Sequence, residues 1–588
     1  MIRRVRYAVG AALAATVLSG CVGLHADPAI RTGLAVGADS GDRVVYVPPG
    51  PQEGASPEAI VRGFVRAAAV PGEGVTVARS YLTRALAATW NPDARADVVS
   101  ATDGELRLVR PGVYELRATL LGQVGPDGRY VPAGEKKTSV LQVEVSTEGG
   151  QPRISALPEG VGRWLSRSAL SQVMSPVELH YEALTDNDIL IPDVRWLVKD
   201  RMATRLTQAQ LGPIPPYLIG SVRTDLANLR LLVDAVPVTA GIAVVDFASE
   251  RVSPDPAARR GMWGQLVATL TGSPDVSAVE VTVEGAGLDL NGISAPVASI
   301  SELGFHPVVP SAALPVLRVG QGVYSIDPAR IGQPDLGRIV EQQASFSPIS
   351  AQFTELALAG DGKELAGVAH GELARFRDAE AQSVPNFGTD LTGPAYDARG
   401  WLWVGGRAGS RGQAGAIWVV DSGVWPATEP AAAARRISVP WLAERRPVAL
   451  ALAADGSRAA VISTDREGAD VRLDIAGIVR DGSGAPTGLA SAPLRLAPGL
   501  RALTDVAWIN GTDLGVLADD PDSAAPRPYV VTLGQQVRAL PAVEGATAIT
   551  TLGGERRLVV AGSTGLKLRA GGTWQQIAVG EGIVVAGR

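Results

Sequence analysis

The chain is nearly without sulfur and poor in imidazole: its 588 residues include one cysteine, four methionines and four histidines. A lone thiol has no partner for an internal disulfide and forms none of the paired-cysteine spacings that hold zinc or run redox exchange. The histidines, His25, His180, His306 and His370, are scattered one to a region, with no i, i+4 pair to present two imidazoles from one helix face to a metal. Each is expected at a surface or a turn. Positive charge is also in short supply, since 54 Lys and Arg face 60 Asp and Glu. That acidic balance excludes nucleic acid as a partner, and adsorption to anionic lipid by charge alone. Past the first 20 residues no apolar run reaches 18, so no later segment is read as spanning a bilayer.

The single cysteine is placed where it carries information. Arg3, Arg4 and Arg6 open the chain, an apolar stretch runs from Ala8 to Leu18, and Leu18-Ser19-Gly20-Cys21 follows. A basic start, a short apolar segment and small residues before a cleavage point make a secretory signal. With cysteine next, the pattern is a lipobox, in which the thiol takes diacylglycerol and cleavage makes Cys21 the first mature residue. Two acyl chains hold a protein on a membrane far longer than one. Residues 1–20 are therefore read as signal peptide, Cys21 as the lipid attachment site, and residues 21–40 as a flexible tether. Removing Arg3, Arg4 and Arg6 takes the formal net charge from -6 to -9.

At ~100–200 residues per domain the chain holds three or four domains. Ser56-Pro57-Glu58 offers an N-cap hydroxyl, a proline at the first helical position and an acid near the helix start, with Ile60, Val61, Phe64 and Val65 on one face. A second helix is expected from Val77 to Trp90, stopped by Asn91-Pro92. Alternating strands then follow at 105–110, 113–120 and 139–145. Residues 41–188 thus form an α+β domain, similar in element order to the cone-shaped nuclear-transport-factor-like modules. Residues 189–300 read as a second α+β unit, with helices at 202–211 and 260–271 and strands at 230–233, 242–247 and 279–284.

From residue 314 onward the pattern is strands and turns with a weak repeat. Asp361-Gly362, Asp397-Ala-Arg-Gly400, Asp455-Gly456, Asn510-Gly511 and Gly553-Gly554 each precede a short apolar strand, and their starts lie 36, 58, 55 and 43 residues apart. Such spacing suits the four-stranded blades of a β-propeller. Residues 314–588 are expected to form five or six blades, with 317–326 and the C-terminal strands completing the sixth.

Few residues suggest chemistry. Gly406 to Gly415, with Arg407 and Arg411, is followed by a strand rather than a helix, so it reads as a hairpin and not a phosphate cradle. Asp470 with Asp474, and Glu280 with Glu284, share a face of their strand patterns and read as solvated sheet faces. Trp263, Trp401, Trp403, Trp418, Trp441, Trp508 and Trp574 suit packing between blades, with glycan stacking as the functional alternative. No catalytic, cofactor or metal site is assigned, and no cofactor is expected.

Two resemblances follow from these residues. Ala203–Leu206 (ATRL), Val245–Phe247 (VDF), Leu266–Thr271 (LVATLT) and Val281–Gly285 (VTVEG) stand in the order seen in the spore-germination GerMN module. Together with the lipobox, "SPEAIVRGF" at 56–64, "ARSYLT" at 78–83 and a terminal propeller, the whole chain resembles the LpqB family of actinobacterial lipoproteins. That resemblance implies a non-enzymatic protein on the outer face of the cytoplasmic membrane, held by its lipid anchor. It implies association with MtrB, the sensor histidine kinase of a two-component system, in cell-wall and division physiology. A cell-wall glycan-binding or envelope-assembly role is the alternative, and the resemblance assigns no residue to contact with the kinase.

Overall fold

The computed structural model describes residues 47–588, apart from 187, 291, 294, 310, 334–335, 341–345, 409–413, 426–432, 520–524, 578 and 588. Cys21, the tether and His25 lie outside the described residues.

Helix α1 (Pro57–Ala68) forms as its sequence dictates: Ser56 Oγ accepts from the Ala59 amide at 3.2 Å and proline fills the first helical position. Its buried stripe of Ile60, Val61, Phe64 and Val65 packs on Tyr114, Leu116, Leu141, Val143 and Ile154. These belong to a sheet of β1 (Ala96–Val99), β2 (Glu105–Arg110), β3 (Val113–Val124), β4 (Tyr130–Glu148), β5 (Gln151–Ala156) and β6 (Arg163–Ser166). The order is β5-β4-β3-β1-β6, with β2 beside the first half of β3. The helix expected over 77–90 is two short ones, α2 (Glu73–Ser80) and α3 (Arg84–Thr89). Between them Leu82 bridges to Ile154, and the Thr83 amide donates to Ile154 O at 2.8 Å while its side chain caps α3. Pairing with β5 wins over helical continuity there.

After α4 (Arg167–Val173), β7 (Met174–Ala183) pairs along its length with β8 (Leu190–Val198), across the boundary expected at residue 188. β7 also pairs with β9 (Val222–Arg223), and the next sheet joins β10 (Val238–Thr239), β11 (Ile242–Phe247) and β12 (Ala278–Val283), the last two running parallel. Between them α6 (Pro256–Leu270) makes the crossover a βαβ unit, while α5 (Met202–Gln210) packs against α6. Arg230 to Val233 is not the expected strand: only Leu231 bridges, to Phe247, and Leu232 and Val233 are exposed.

The repeat at the C-terminus is a six-sheet propeller. Blade 1 is three-stranded: Val316–Val319 pairs with Gly322–Ser325 on one side and with Gly582–Val584, from the far end of the chain, on the other. Blades 2 to 6 follow over residues 355–383, 395–436, 446–496, 503–539 and 546–576, each with at least four strands. Each repeated motif is the turn between the innermost strand and the second. In the Asx-type turns, Asp361, Asp397, Asp455 and Asn510 accept the amide two residues on at 2.8–2.9 Å. Gly362, Gly400 and Gly456 take the left-handed conformation that these turns require.

Buried ion pairs tie neighbouring blades. Arg375 forks onto Glu364 at 2.8 and 3.0 Å within blade 2, and Tyr396 of blade 3 donates to the same carboxylate at 2.7 Å. Asp397 of blade 3 accepts from Trp403 Nε1 at 3.0 Å and from Arg480 of blade 4 at 2.6 Å. The propeller is also joined to the central domain by a continuous core running from Tyr181, Tyr217 and Trp263 to Ile462, Ile475 and Trp508. Trp196 Nε1 donates to Gly534 O at 2.6 Å, and Arg195 reaches Asp127 of the first domain at 2.7 Å.

Breaking a buried pair strands an uncompensated charge, at about 3–5 kcal/mol. Asp397→Ala is expected to lower unfolding free energy by about that amount in denaturant titration, with Asp397→Asn losing less because it keeps an acceptor for Trp403. Gly261→Ala, whose Cβ would fall on the Asp225 and Glu182 carboxylates, is expected to lower the melting temperature by several degrees.

Candidate functional site

The innermost strands of all six blades converge on one cavity of about 500 Å³, within the ~300–1,000 Å³ typical of small-molecule sites. Its wall is mostly small and aliphatic, with Arg318, Glu355, Asp505 and Glu581 as ionisable groups set into it. Inner strands of blades 4, 5 and 6 each carry a register shift near their start, at Pro447/Ala449, Leu503/Asp505 and Ala546/Ala548. A bulge re-aims side chains, and the second of these turns Asp505 toward blade 6. There its Oδ2 accepts from the Ile549 amide at 2.7 Å, while Oδ1 accepts from Val506 at 2.9 Å.

Burial pushes the Asp505 carboxyl up to about 7, against the two backbone donors and with help from the charge on Glu355. Burial likewise raises Glu355, opposed by the Gly393 amide of blade 3. Arg318 is held by the carbonyls of Gly320 at 3.1 Å, Ser350 at 3.0 Å and Phe353. The channel therefore sets protonatable carboxyls between blades in a confined space.

A second perturbed pair lies in the central domain. Glu182 Oε1 accepts from Arg223 at 2.6 Å, and its buried Oε2 meets Asp225 over Gly261. Burial pushes Asp225 up to about 6, with Arg223 lowering it and Glu182 raising it. A proton held on Asp225 and directed at Glu182 accounts for their otherwise unpaired oxygens.

The residues singled out in the sequence are distributed as follows. His306 and His370 are exposed, but His180 is enclosed, contrary to expectation. Its Nδ1 lies 3.2 Å from Thr269 Oγ1, and burial depresses it to about 4, so it is neutral. Asp474 is buried rather than solvated, and burial pushes it up to about 6. Asp470 instead faces Arg445, Arg472 and Arg495. Glu284 lies beyond the end of β12 with φ 51° and does not share a strand face with Glu280. Trp401–Ala408 and Ala414–Asp421 form the expected hairpin; Arg407 pairs with Asp390 at 3.3 Å, and Arg411 lies outside the described residues. Trp263, Trp403, Trp418 and Trp508 are buried, as packing required. Among the described residues no group of three or more His, Cys, Asp or Glu is placed to hold a metal. Sequence reasoning missed Asp505 and Glu355, although a lone acid inside an apolar inner strand, as in Leu503-Thr-Asp-Val-Ala-Trp, was the available signal.

Three family models match consecutive parts of the chain. They are the lipoprotein LpqB N-terminal domain over residues 50–171, the sporulation and spore germination domain over 181–289, and the lipoprotein LpqB beta-propeller domain over 333–584. Lipoprotein LpqB of Thermobifida fusca is 26% identical, covering 90% of each chain. That of Bifidobacterium longum is 29% identical, covering 53% of this chain and 58% of its own. The first GerMN domain of GerM from Bacillus subtilis aligns at 19% identity and a TM-score of 0.18, over 21% of this chain and 93% of its own.

Because its folded-state carboxyl is raised, Asp505 keeps its proton in the native channel at pH values where the unfolded chain has lost it. Its contribution is full below the unfolded value near 4 and declines as pH rises to about 7. Melting temperatures of the wild type and Asp505→Asn measured from pH 4 to 8 should diverge across that window, with the wild type losing ground as pH rises.

Proposed function

Because the chain belongs to the LpqB family of actinobacterial lipoproteins, we propose that it is a non-catalytic accessory of a membrane-embedded sensor histidine kinase of the MtrB type. In this reading Cys21 carries the lipid that holds the body on the outer face of the cytoplasmic membrane, and the kinase acts in cell-wall and division physiology. The observation that supports it best is mechanical. The central domain and the propeller share one hydrophobic core, and the Arg195–Asp127 ion pair with the Trp196 amide bonded to Gly128 O joins the first domain to them. A body built this way presents its surfaces in fixed relation. It can therefore bind one signalling state of a partner in preference to another, and differential affinity is the only way binding shifts such an equilibrium.

A glycan-gripping role would need free aromatic faces. Among the partly exposed tryptophans, Trp441 and Trp574 instead donate their indole N–H to Ala490 O and Pro541 O at 3.1 and 2.9 Å and lie against the body. Envelope assembly remains the alternative that the same experiment addresses. Crosslinking from the tagged protein in intact cells, followed by mass spectrometry, is expected to recover a sensor kinase, and Cys21→Ala to lose it. Kinase phosphotransfer unchanged in membranes lacking the lipoprotein would overturn the regulatory reading, and recovery of wall polymer or biosynthetic enzymes alone would replace it with the assembly role.

A further inference from the structure

We infer that the tip of the β2–β3 hairpin is a membrane contact, with Leu108 and Val109 entering the lipid interface. The inference rests on the lipid-anchor reading above and adds a surface to it.

Successive strand residues point to opposite faces, so in a sheet covered on one side one of any two neighbours is buried. At the end of β2 neither is: Leu108 is 59% exposed and Val109 55%. The strand pairs with β3 alone, and only Leu106, nearer its start, packs on the α1 core. The end of β2 is thus an exposed sheet edge with apolar side chains on both faces, beside Val113 and Tyr114 of β3, which are buried. Arg107 and Arg110 flank the pair, in exposed ion pairs with Glu105 at 2.7 Å and Glu144 at 3.1 Å. Exposed pairs of this kind contribute little to folding, and long basic side chains beside an inserted apolar residue reach up to headgroup phosphates.

What commits this tip to lipid is its place in the chain. Tyr114, the cross-strand partner of Leu108, lies beside Glu58 in the first turn of α1. The segment leading into that helix stays at the same end. Pro49 O accepts from Tyr81 at 2.9 Å, the Gly54 amide donates to Gln151 at the β4–β5 turn at 3.0 Å, and Val145 donates to Gly112 O at 2.8 Å. Val47, the first described residue, is exposed there as well. Only residues 22–46 separate it from Cys21, a link of at most ~90 Å fully extended. A bilayer holding the lipid is therefore joined to the body at the end that carries the apolar tip. The mature chain is acidic, so attraction would come from apolar insertion rather than net charge.

The chemistry of the anchor supplies a clean test. With Cys21 in thioether linkage, Val109→Cys introduces the one free thiol of the lipidated protein. We would label it with an environment-sensitive nitrobenzoxadiazole dye and reconstitute the protein on vesicles of phosphatidylethanolamine and phosphatidylglycerol. Val131→Cys, exposed at the opposite end of the same sheet, is the control. The expected result is a blue shift and several-fold brighter emission at position 109, quenched by nitroxide lipid and protected from aqueous iodide, with position 131 unchanged. Protein that floats with vesicles while position 109 stays open to iodide overturns the inference and leaves the anchor standing. Protein that does not float overturns the anchor reading and this inference together. Shielding of position 109 on native membranes but not on pure lipid would assign the tip to a protein partner and overturn the lipid assignment.

Discussion

The hydrogen-bonded closure of blade 1 is the constraint on which the propeller depends. Leu317 pairs with Ile583, so strands separated by most of the propeller's sequence share one sheet. Closing the ring this way completes blade 1 with a strand from the other end of the propeller and leaves the blades only short edges. It also fixes the distance between opposite inner strands, and thereby the cavity that Asp505 and Glu355 line. The loop-closure entropy rises only slowly with length, which lets strands from both ends of a long segment complete one blade.

Between blades the chain uses two devices in place of disulfides. Tryptophans such as Trp403 and Trp508 fill volume among small residues, including Ala459, Ala460 and Ala476. A buried arginine–carboxylate pair, Arg480 of blade 4 with Asp397 of blade 3, satisfies groups that packing alone would leave charged and unpaired. Such pairs add little net stability relative to apolar packing, but they reject wrong registers because a slipped strand would bury a lone charge. The fused core between the central domain and blades 4 and 5 extends the same logic across domains.

This architecture bears on the proposed role through rigidity. A tethered protein whose domains swung freely would spread its binding surfaces over many orientations and lose affinity to the ordering of each. Here the parts that would face a membrane-embedded partner are held in one arrangement, and the apolar hairpin tip sits at the end where the chain leads back to Cys21. The raised carboxyls in the channel and under α6 add protonation equilibria near neutrality to the same body. They make its stability respond to pH.

Much was legible in the sequence because it depends on local rules. Ser56-Pro57-Glu58 starts α1 through its own hydroxyl and ring, and the Asp-Gly turns mark the blade hairpins through the αL conformation that glycine permits. The order of modules, and with it the family, followed from such local patterns. Other features depended on partners distant in the chain. The helix over 77–90 broke because β5 offered Thr83 and Leu82 a better pairing, His180 and Asp474 became buried because other elements covered them, and β7 joined the central domain through β8. Asp505 gained its raised pKa only when the ring closed around it. Backbone conformation is set within a few residues and so can be read from the sequence, whereas burial and proton affinity are set by what folds against a residue, which only the tertiary structure decides.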